Sequence, residues 1–179
     1  MNRVSKTVWL LALFALYPLS ALGEDNEGHP VKLGEGKVRL TAPGDWEEKE
    51  PKFKGIVAAE FAVESAEGDK SGGRVTMGGL GGGVEPNLQR WMSQYTNAET
   101  ERDELEIAGQ KIERISIRGT YKGSRFRKEP SGPGFRLLGA VISTQKVGTY
   151  YIKFYGPQKT VDENEKAFDK MLKGLEVNP

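Results

Sequence analysis

Strand-like segments joined by short turns dominate the second half of this chain. In the segment 149–157, TYYIKFYGP, the side chains of Tyr150, Ile152 and Phe154 fall on one side of an extended backbone, and the intervening residues fall on the other. The segment 135–144, FRLLGAVIST, has apolar residues at both odd and even positions, as in a strand that is covered on both faces. Because only a short turn joins these two segments, the sequence predicts that they pair antiparallel.

The rest of the chain carries further strand patterns. Strands are expected around Val38 and Leu40, from Trp46, at Phe53–Val63, at Arg74–Leu80, and around Ile115, Ile117 and Tyr121. Ala108–Gly109 predicts a hairpin turn before the last of these strands. Ile112 is out of phase with the apolar positions that follow it, which predicts a bulge or the start of the strand.

Two segments have the periodicity of amphipathic helices. In the first, one face carries Leu88, Trp91, Met92 and Tyr95. Pro86 suits its first turn, and Asn87 is an alternative capping residue. In the second, Thr160 and Glu163 have the spacing of a capping box with acidic residues in the first turn, and Gly174 marks the C-terminal end.

The order of these elements is strands, helix, at least three strands, helix. It predicts an α+β fold, a mostly antiparallel β-sheet packed with helices, in a single domain spanning 37–179. Residues 1–23 have the basic start, the short apolar stretch and the small-residue exit of a secretory signal peptide, with a retained membrane anchor as the alternative. Residues 24–36 are polar and contain several glycines, and they predict a flexible N-terminal arm.

Four stretches together resemble a known superfamily. They are VRLTAPGDW, the glycine-rich turn into NLQRWMSQY, the paired strands of AVISTQKVGTYYIKFYGP, and FDKMLKGLEV. This combination is similar to the PsbP-like α/β/α sandwich superfamily, and in particular to exported bacterial members of unknown function. The resemblance implies that fold over residues 37–177. It also implies a role in binding other proteins, and it brings no catalytic residues with it.

Composition excludes several classes of function. Cleavage after Gly23 removes Arg3 and Lys6 from the 26 basic residues and none of the 25 acidic ones, which leaves a net charge of −1. Such a balance gives no general attraction to nucleic acid. The chain has no cysteine and one histidine, His29, so it carries no disulfide, no Ser-His-Asp or Cys-His site and no multi-histidine metal site. His29 is expected to be a solvated residue of the arm.

The glycine-rich stretch 78–83 is the strongest candidate ligand motif. A P-loop would need Lys and Ser/Thr where Val84 and Glu85 stand, and a dinucleotide fingerprint would need glycine in place of Val84. We interpret the stretch as a tight strand-to-helix connection. The alternative is a weak anion site at the helix start, with contacts from Gly82, Gly83, Asn87 and Arg90.

A second candidate is the basic loop between two strands. Arg125, Arg127 and Lys128 could contact an acidic partner or an anionic surface, or the loop could simply be solvated. Tyr121, Tyr150, Tyr151 and Tyr155 are interpreted as cross-strand aromatic pairs, with a stacking surface as the alternative.

These observations favour an exported, non-enzymatic binding or accessory protein. Its partner would be another envelope or secreted protein, with no nucleic acid, no cofactor, no metal and no membrane span after signal cleavage. The alternative is a protein that binds a small anionic or apolar ligand in a groove between sheet and helix, and a hydrolase ranks third.

Overall fold

The computed structural model describes residues 27–79, 81–124 and 128–178. The predicted signal peptide at 1–23 lies outside these ranges. Within them the chain forms ten strands and two helices: β1 (His29–Leu33), β2 (Val38–Ala42), β3 (Glu47–Lys49), β4 (Ala59–Val63), β5 (Gly73–Gly79), α1 (Val84–Met92), β6 (Tyr95–Ile107), β7 (Gln110–Tyr121), β8 (Gly132–Ser143), β9 (Thr149–Pro157), α2 (Gln158–Lys173) and β10 (Glu176–Val177).

Seven of these strands form one sheet with the order β3-β4-β5-β9-β8-β7-β6. Each pairing in it is antiparallel. The hairpin of β6 and β7 turns at Ala108 and Gly109, whose φ values of 52° and 69° are those of a primed turn. The predicted α+β fold with a mostly antiparallel sheet is therefore confirmed.

The two helices lie on opposite faces of the seven-stranded sheet. On one face, α2 and a small sheet of the order β1-β2-β10 cover a core that includes Trp46, Phe61, Phe154 and Phe168. On the other face, α1 packs on a second core that includes Leu88, Trp91, Leu137 and Tyr151. These layers make an α/β/α sandwich. Among the described residues, no helix is long and apolar enough to span a bilayer.

Trp91 fixes the position of α1 on the sheet. Its ring lies over Gly139 of β8, where an added Cβ would come within 2.3 Å of the ring. It also meets the ring of Tyr151 edge to face, with 6.2 Å between the centroids. Leu88 is fully buried beside it. Tyr95, predicted on the helix, instead begins β6, but its side chain is buried in the same cluster.

The arm predicted at 24–36 is wrong over most of its described length. His29–Leu33 forms β1, which pairs with β2 in five-residue register. Val31 and Leu33 are buried in the core. His29 is half-buried rather than part of a solvated arm, and its ring packs 5.6 Å from that of Phe61. The apolar positions alternate with polar ones over only five residues, too short a run to stand out in a polar context.

Three smaller expectations also need correction. The strand predicted at Phe53–Val63 begins only at Ala59, because the residues before it form turns. The helix α2 begins at Gln158, so no acidic residue lies in its first turn. In place of a capping box, Asp69 Oδ2 accepts hydrogen bonds from Thr160 N and Oγ1, at 3.0 and 2.7 Å. Ile112 is out of phase because it faces the α2 core while Ile115 faces the α1 core.

Candidate functional site

The glycine-rich connection is closed by a side chain of its own helix. Asn87 Nδ2 donates to the carbonyl oxygens of Gly81 and Gly83, at 3.1 and 2.7 Å. Tyr151 Oη donates to the same Gly83 carbonyl at 2.9 Å. Gly82 and Gly83 have φ values of 93° and 77°, which favour glycine. The carbonyl oxygens of the connection thus point to the buried amide of Asn87. Because carbonyl oxygens repel anions, this arrangement does not favour an anion site.

The start of α1 is a poor phosphate cradle for two further reasons. Pro86 has no amide hydrogen to donate. Glu85 places a carboxylate in the first turn, where Arg102 of β6 pairs with it at 3.0 Å. Arg90 lies in the last turn of the helix, about 10 Å along the axis from Gly83. Gly82, Gly83 and Asn87 therefore come together, and Arg90 stands apart from them.

Of the basic loop, the described residue Glu129 lies toward the other end of the sheet. Arg125 and Arg127 fall outside the described residues, and Lys128 is exposed. The glycine connection leaves β5 beside Tyr150, whereas Tyr155 contacts the basic loop through Glu129. Five residues of strand separate these points, about 17 Å. The glycine connection and Glu129, a described residue of the basic loop, therefore lie at separate places along β9.

The helix α1 is too short to cover its face of the sheet. It has nine residues and a length of about 13 Å, while seven strands span about 29 Å. Trp91 places it over β9, β8 and β7. Beside it, β4, β5 and the adjoining part of β9 carry a stripe of polar side chains that we call the open face, formed by Glu60, Arg74, Thr76, Lys153 and Tyr155. Arg74, Thr76 and Lys153 are partly exposed, whereas Glu60 and Tyr155 are buried.

The charges of the open face are held in fixed positions. Arg74 Nε donates to Glu60 Oε1 at 2.7 Å, and Arg74 Nη1 donates to Tyr155 Oη at 2.9 Å. Glu60 is only 6% exposed. Lys153 Nζ donates to Gln94 Oε1 at 2.6 Å and lies 4.3 Å from the centre of the Tyr155 ring. Side chains already ordered in this way lose little entropy when a partner binds.

Glu129 joins the basic loop to the open face. Its carboxylate accepts hydrogen bonds from the hydroxyls of Tyr121 and Tyr155, the latter at 2.7 Å. Burial raises the pKa of Tyr155 to about 12, although the positive charge of Arg74 acts in the opposite direction. Burial and the hydrogen bond to Glu129 raise the pKa of Tyr121 well above its ordinary value. Both hydroxyls therefore stay protonated, and act as donors, at neutral pH.

Apolar side chains lie at the rim of the open face. Phe53 and Ile56, at 45% and 51% exposure, belong to the segment 51–58, which precedes β4. The Ile56 carbonyl lies against Gly78, where an added Cβ would be 2.0 Å from it. Between this segment and α1 is a crevice of about 80 Å³ that reaches Trp91, Tyr151 and Lys153. Such a crevice can take an amino-acid side chain but not a cofactor.

A larger groove lies on the opposite side of the molecule. It has a volume of about 450 Å³, within the range of small-ligand sites, and runs between the end of β2 and α2. Its lining is mostly apolar, with one cation and one carboxylate, and includes Ala42, Pro43, Asp45, Ala167, Lys170 and Met171. Within 27–79, 81–124 and 128–178, no cluster of three or more His, Asp or Glu residues could hold a metal ion.

Sequence reasoning did not single out Glu60, Arg74, Lys153 or Glu129 as one site. A signal was present for two of them, since Glu60 and Lys153 interrupt the apolar runs AAEFAV and YYIKFY. A charge inside a strand pattern is expected to have a partner, but only the order of strands in the sheet shows which one. The rings of Tyr121 and Tyr155, interpreted as parts of cross-strand pairs, lie 5.4 Å apart, but across β8 rather than on neighbouring strands.

Comparisons with known proteins bear on the fold. No protein-family model and no curated protein matches this sequence. Among solved structures, the chain is similar to the solution structure of cyanobacterial PsbP (CyanoP) from Synechocystis sp. PCC 6803. The TM-score is 0.52 at 14% identity, and the match covers 90% of this chain and 99% of that chain. At this identity the similarity concerns the fold alone. The chain has a PsbP-like fold, as the sequence resemblance implied.

Proposed function

We propose that this chain is an exported, non-enzymatic accessory protein that binds another envelope or secreted protein through its open face. Export rests on the signal-peptide pattern of residues 1–23. A PsbP-like fold fits an accessory, non-catalytic protein. The chain has no cysteine and one histidine, His29 of β1, whose ring packs on Phe61 of β4. It therefore offers no conventional nucleophile–base pair.

The observation that carries the proposal is the combination of ordered charges and exposed apolar groups on one side of the sheet. Phe53, Ile56 and Leu105 are the large apolar side chains that stand exposed in the described part of the chain. Two of the three lie within one segment, next to a crevice and to the open face. Exposed apolar groups beside ordered polar ones are typical of protein-binding surfaces.

The test compares two variants of matched chemistry. Phe53→Ser with Ile56→Ser removes the apolar rim, and Leu105→Ser removes the exposed leucine of β6, which lies at the far edge of the sheet. We expect the first variant to lose the envelope protein that co-elutes with the wild type and the second to retain it, with both variants folded by circular dichroism. Equal retention by both variants would contradict the proposal.

The groove beside α2 favours a second function, binding of a small anionic or apolar ligand, although Asp45 places a carboxylate in the same lining. Lys170 supplies a cation next to the apolar Ala42, Ala167 and Met171. Native mass spectrometry of the purified protein would detect a bound molecule, and Ala167→Phe, which fills the groove, should abolish it. A wild-type mass equal to that of the chain alone would count against this function.

A further inference from the structure

The hydroxyls around Glu129 form a cluster with more donors than one carboxylate uses. Tyr121 and Tyr155 donate to its two oxygens. Tyr95 packs against Tyr121 with ring centres 5.2 Å apart, and its buried hydroxyl has no hydrogen-bond partner among the described residues. Arg74 Nη2 is likewise buried without a partner in that part of the chain. We call Arg74, Tyr95, Tyr121 and Tyr155 the donor cluster.

Unused donors in a buried place have a physical cost. A buried hydroxyl or guanidinium N–H without an acceptor loses the hydrogen bond that water would give it. Tyr95 is only 5% exposed, so bulk water does not supply that acceptor directly. Glu60 accepts from Arg74 and Glu129 accepts from Tyr121 and Tyr155. The negative charge of Glu129 contributes to the raised pKa of Tyr95, whose main cause is burial. The donor cluster therefore has the chemistry of a carboxylate receptor that its present occupant fills incompletely.

Glu129 belongs to a connection, whereas the donors belong to strands of the sheet. Arg74 is on β5, Tyr95 on β6, Tyr121 on β7 and Tyr155 on β9. Pro130 and Ser131, which follow Glu129, are exposed. The donors thus lie on hydrogen-bonded strands, and the carboxylate comes from a connection whose next two residues are exposed.

We propose that the donor cluster is a binding site for a side-chain carboxylate of an acidic segment in the partner protein, and that Glu129 occupies this site in the unbound chain. This inference rests on the proposed function, since it names the chemistry of the partner that the open face binds. Arg74 and Tyr155 belong to both the donor cluster and the open face, so one partner segment can lie along the stripe and place a carboxylate at its end.

The charge balance agrees with this exchange. Among the four charged side chains of the open face and the donor cluster, the carboxylates of Glu60 and Glu129 balance Arg74 and Lys153; Lys128, next to Glu129, is exposed. Withdrawal of Glu129 leaves one net positive charge beside three buried hydroxyls. A partner carboxylate restores neutrality, whereas a lysine or an uncharged side chain does not.

The experiment removes the Glu129 carboxylate and then supplies carboxylates in solution, first as acetate and then as a peptide. Glu129→Ala is melted in sodium acetate and in sodium chloride of equal ionic strength, and its affinity for a hexaglutamate peptide is measured by isothermal titration. We expect acetate to raise the melting temperature of Glu129→Ala by several degrees over chloride and to leave the wild type unchanged. We expect hexaglutamate to bind Glu129→Ala at least tenfold more tightly than the wild type.

Two controls keep the result specific. Glu163→Ala removes an exposed carboxylate from α2 and should give no acetate effect. Adding Tyr121→Phe and Tyr155→Phe to Glu129→Ala should abolish both responses. If Glu129→Ala does not fold, Glu129→Gln keeps the shape without the charge and should still bind hexaglutamate more tightly than the wild type.

The outcomes separate this inference from the proposed function. Equal melting of Glu129→Ala in acetate and chloride overturns the carboxylate site and leaves the accessory function standing. If Glu129→Ala does not fold, equal peptide affinity of Glu129→Gln and wild type overturns the acidic partner segment. An acetate response without peptide binding supports a carboxylate receptor for small molecules and overturns the acidic partner segment.

Discussion

Replacing Glu165 with glutamine should destabilise the protein strongly near neutral pH and weakly in acid. Glu165 of α2 pairs with both Arg114 of β7 and Arg136 of β8, and its Oε2 lies 2.6 Å from Arg136 Nη1. Arg136 is 1% exposed and also donates to Ser116 Oγ at 3.1 Å. Glu165 thus ties the helix to two adjacent strands.

The size of the expected loss of unfolding free energy follows from the pKa of Glu165. The hydrogen bond from Arg136, with that from Arg114, lowers the pKa of Glu165 from 4.5 to about 2, although partial burial acts in the opposite direction. A fall of about 2.5 in pKa corresponds to about 3 kcal/mol of folding free energy at neutral pH. Since 31% of the side chain is exposed, screening brings the expected loss toward about 2 kcal/mol.

The pH dependence follows from the direction of the shift. A carboxylate whose pKa is lower in the folded than in the unfolded state stabilises the fold fully when the pH is above its unfolded-state pKa. For Glu165 this contribution is lost as the pH falls from about 4.5 toward 2. The difference in unfolding free energy between wild type and Glu165→Gln should therefore shrink to about 1 kcal/mol near pH 3.

Urea unfolding at several pH values measures this difference. Glu163→Gln is the matched control, because its carboxylate is exposed and lies 3.8 Å from Lys159 on the same helix. The control should lose less than about 0.5 kcal/mol. A loss for Glu165→Gln that stays constant between neutral pH and pH 3 would refute the assignment of the stabilisation to the ionised carboxylate.

Four further outcomes are expected. Trp91→Ala should lower the unfolding free energy by about 3–5 kcal/mol in urea titrations, since it empties the α1 core. Gly82→Ala should lower the unfolding free energy by about 1 kcal/mol because the φ of Gly82 is positive. Gly81→Ala should leave it nearly unchanged, since a Cβ at Gly81 meets open space. ATP should stabilise neither variant. Asp69→Ala should cost about 1–2 kcal/mol by removing the acceptor for Thr160. Chelator and thiol should leave the wild-type melting temperature unchanged.

The fold was largely predictable because its signals are local. Alternation in β9 and double-sided burial in β8 show in the residues themselves, and so does the apolar face of α1. The cap of α2 could not be predicted, because Asp69 reaches Thr160 from 91 positions earlier in the chain. The same holds for β1, whose five residues become a strand only by pairing with β2.

The candidate site was predictable only in its separate parts. The glycine connection and the basic loop were visible, but their separation along β9 was not. The open face depends on β5 pairing with β9, which brings Arg74 beside Tyr155 although 81 positions separate them. No periodicity in the sequence encodes that pairing, because α1, β6, β7 and β8 come between β5 and β9 in the chain.

Photo-crosslinking from the surface tests the proposed docking face most directly. A benzoylphenylalanine would replace Ile56 at the rim of the open face in one variant and Leu105 on β6 in another, both exposed sites in the folded protein. In the envelope of producing cells, we expect one discrete adduct from position 56 that disappears when Arg74 and Lys153 are replaced by alanine, and no adduct from position 105. A discrete adduct from position 105 alone would contradict it.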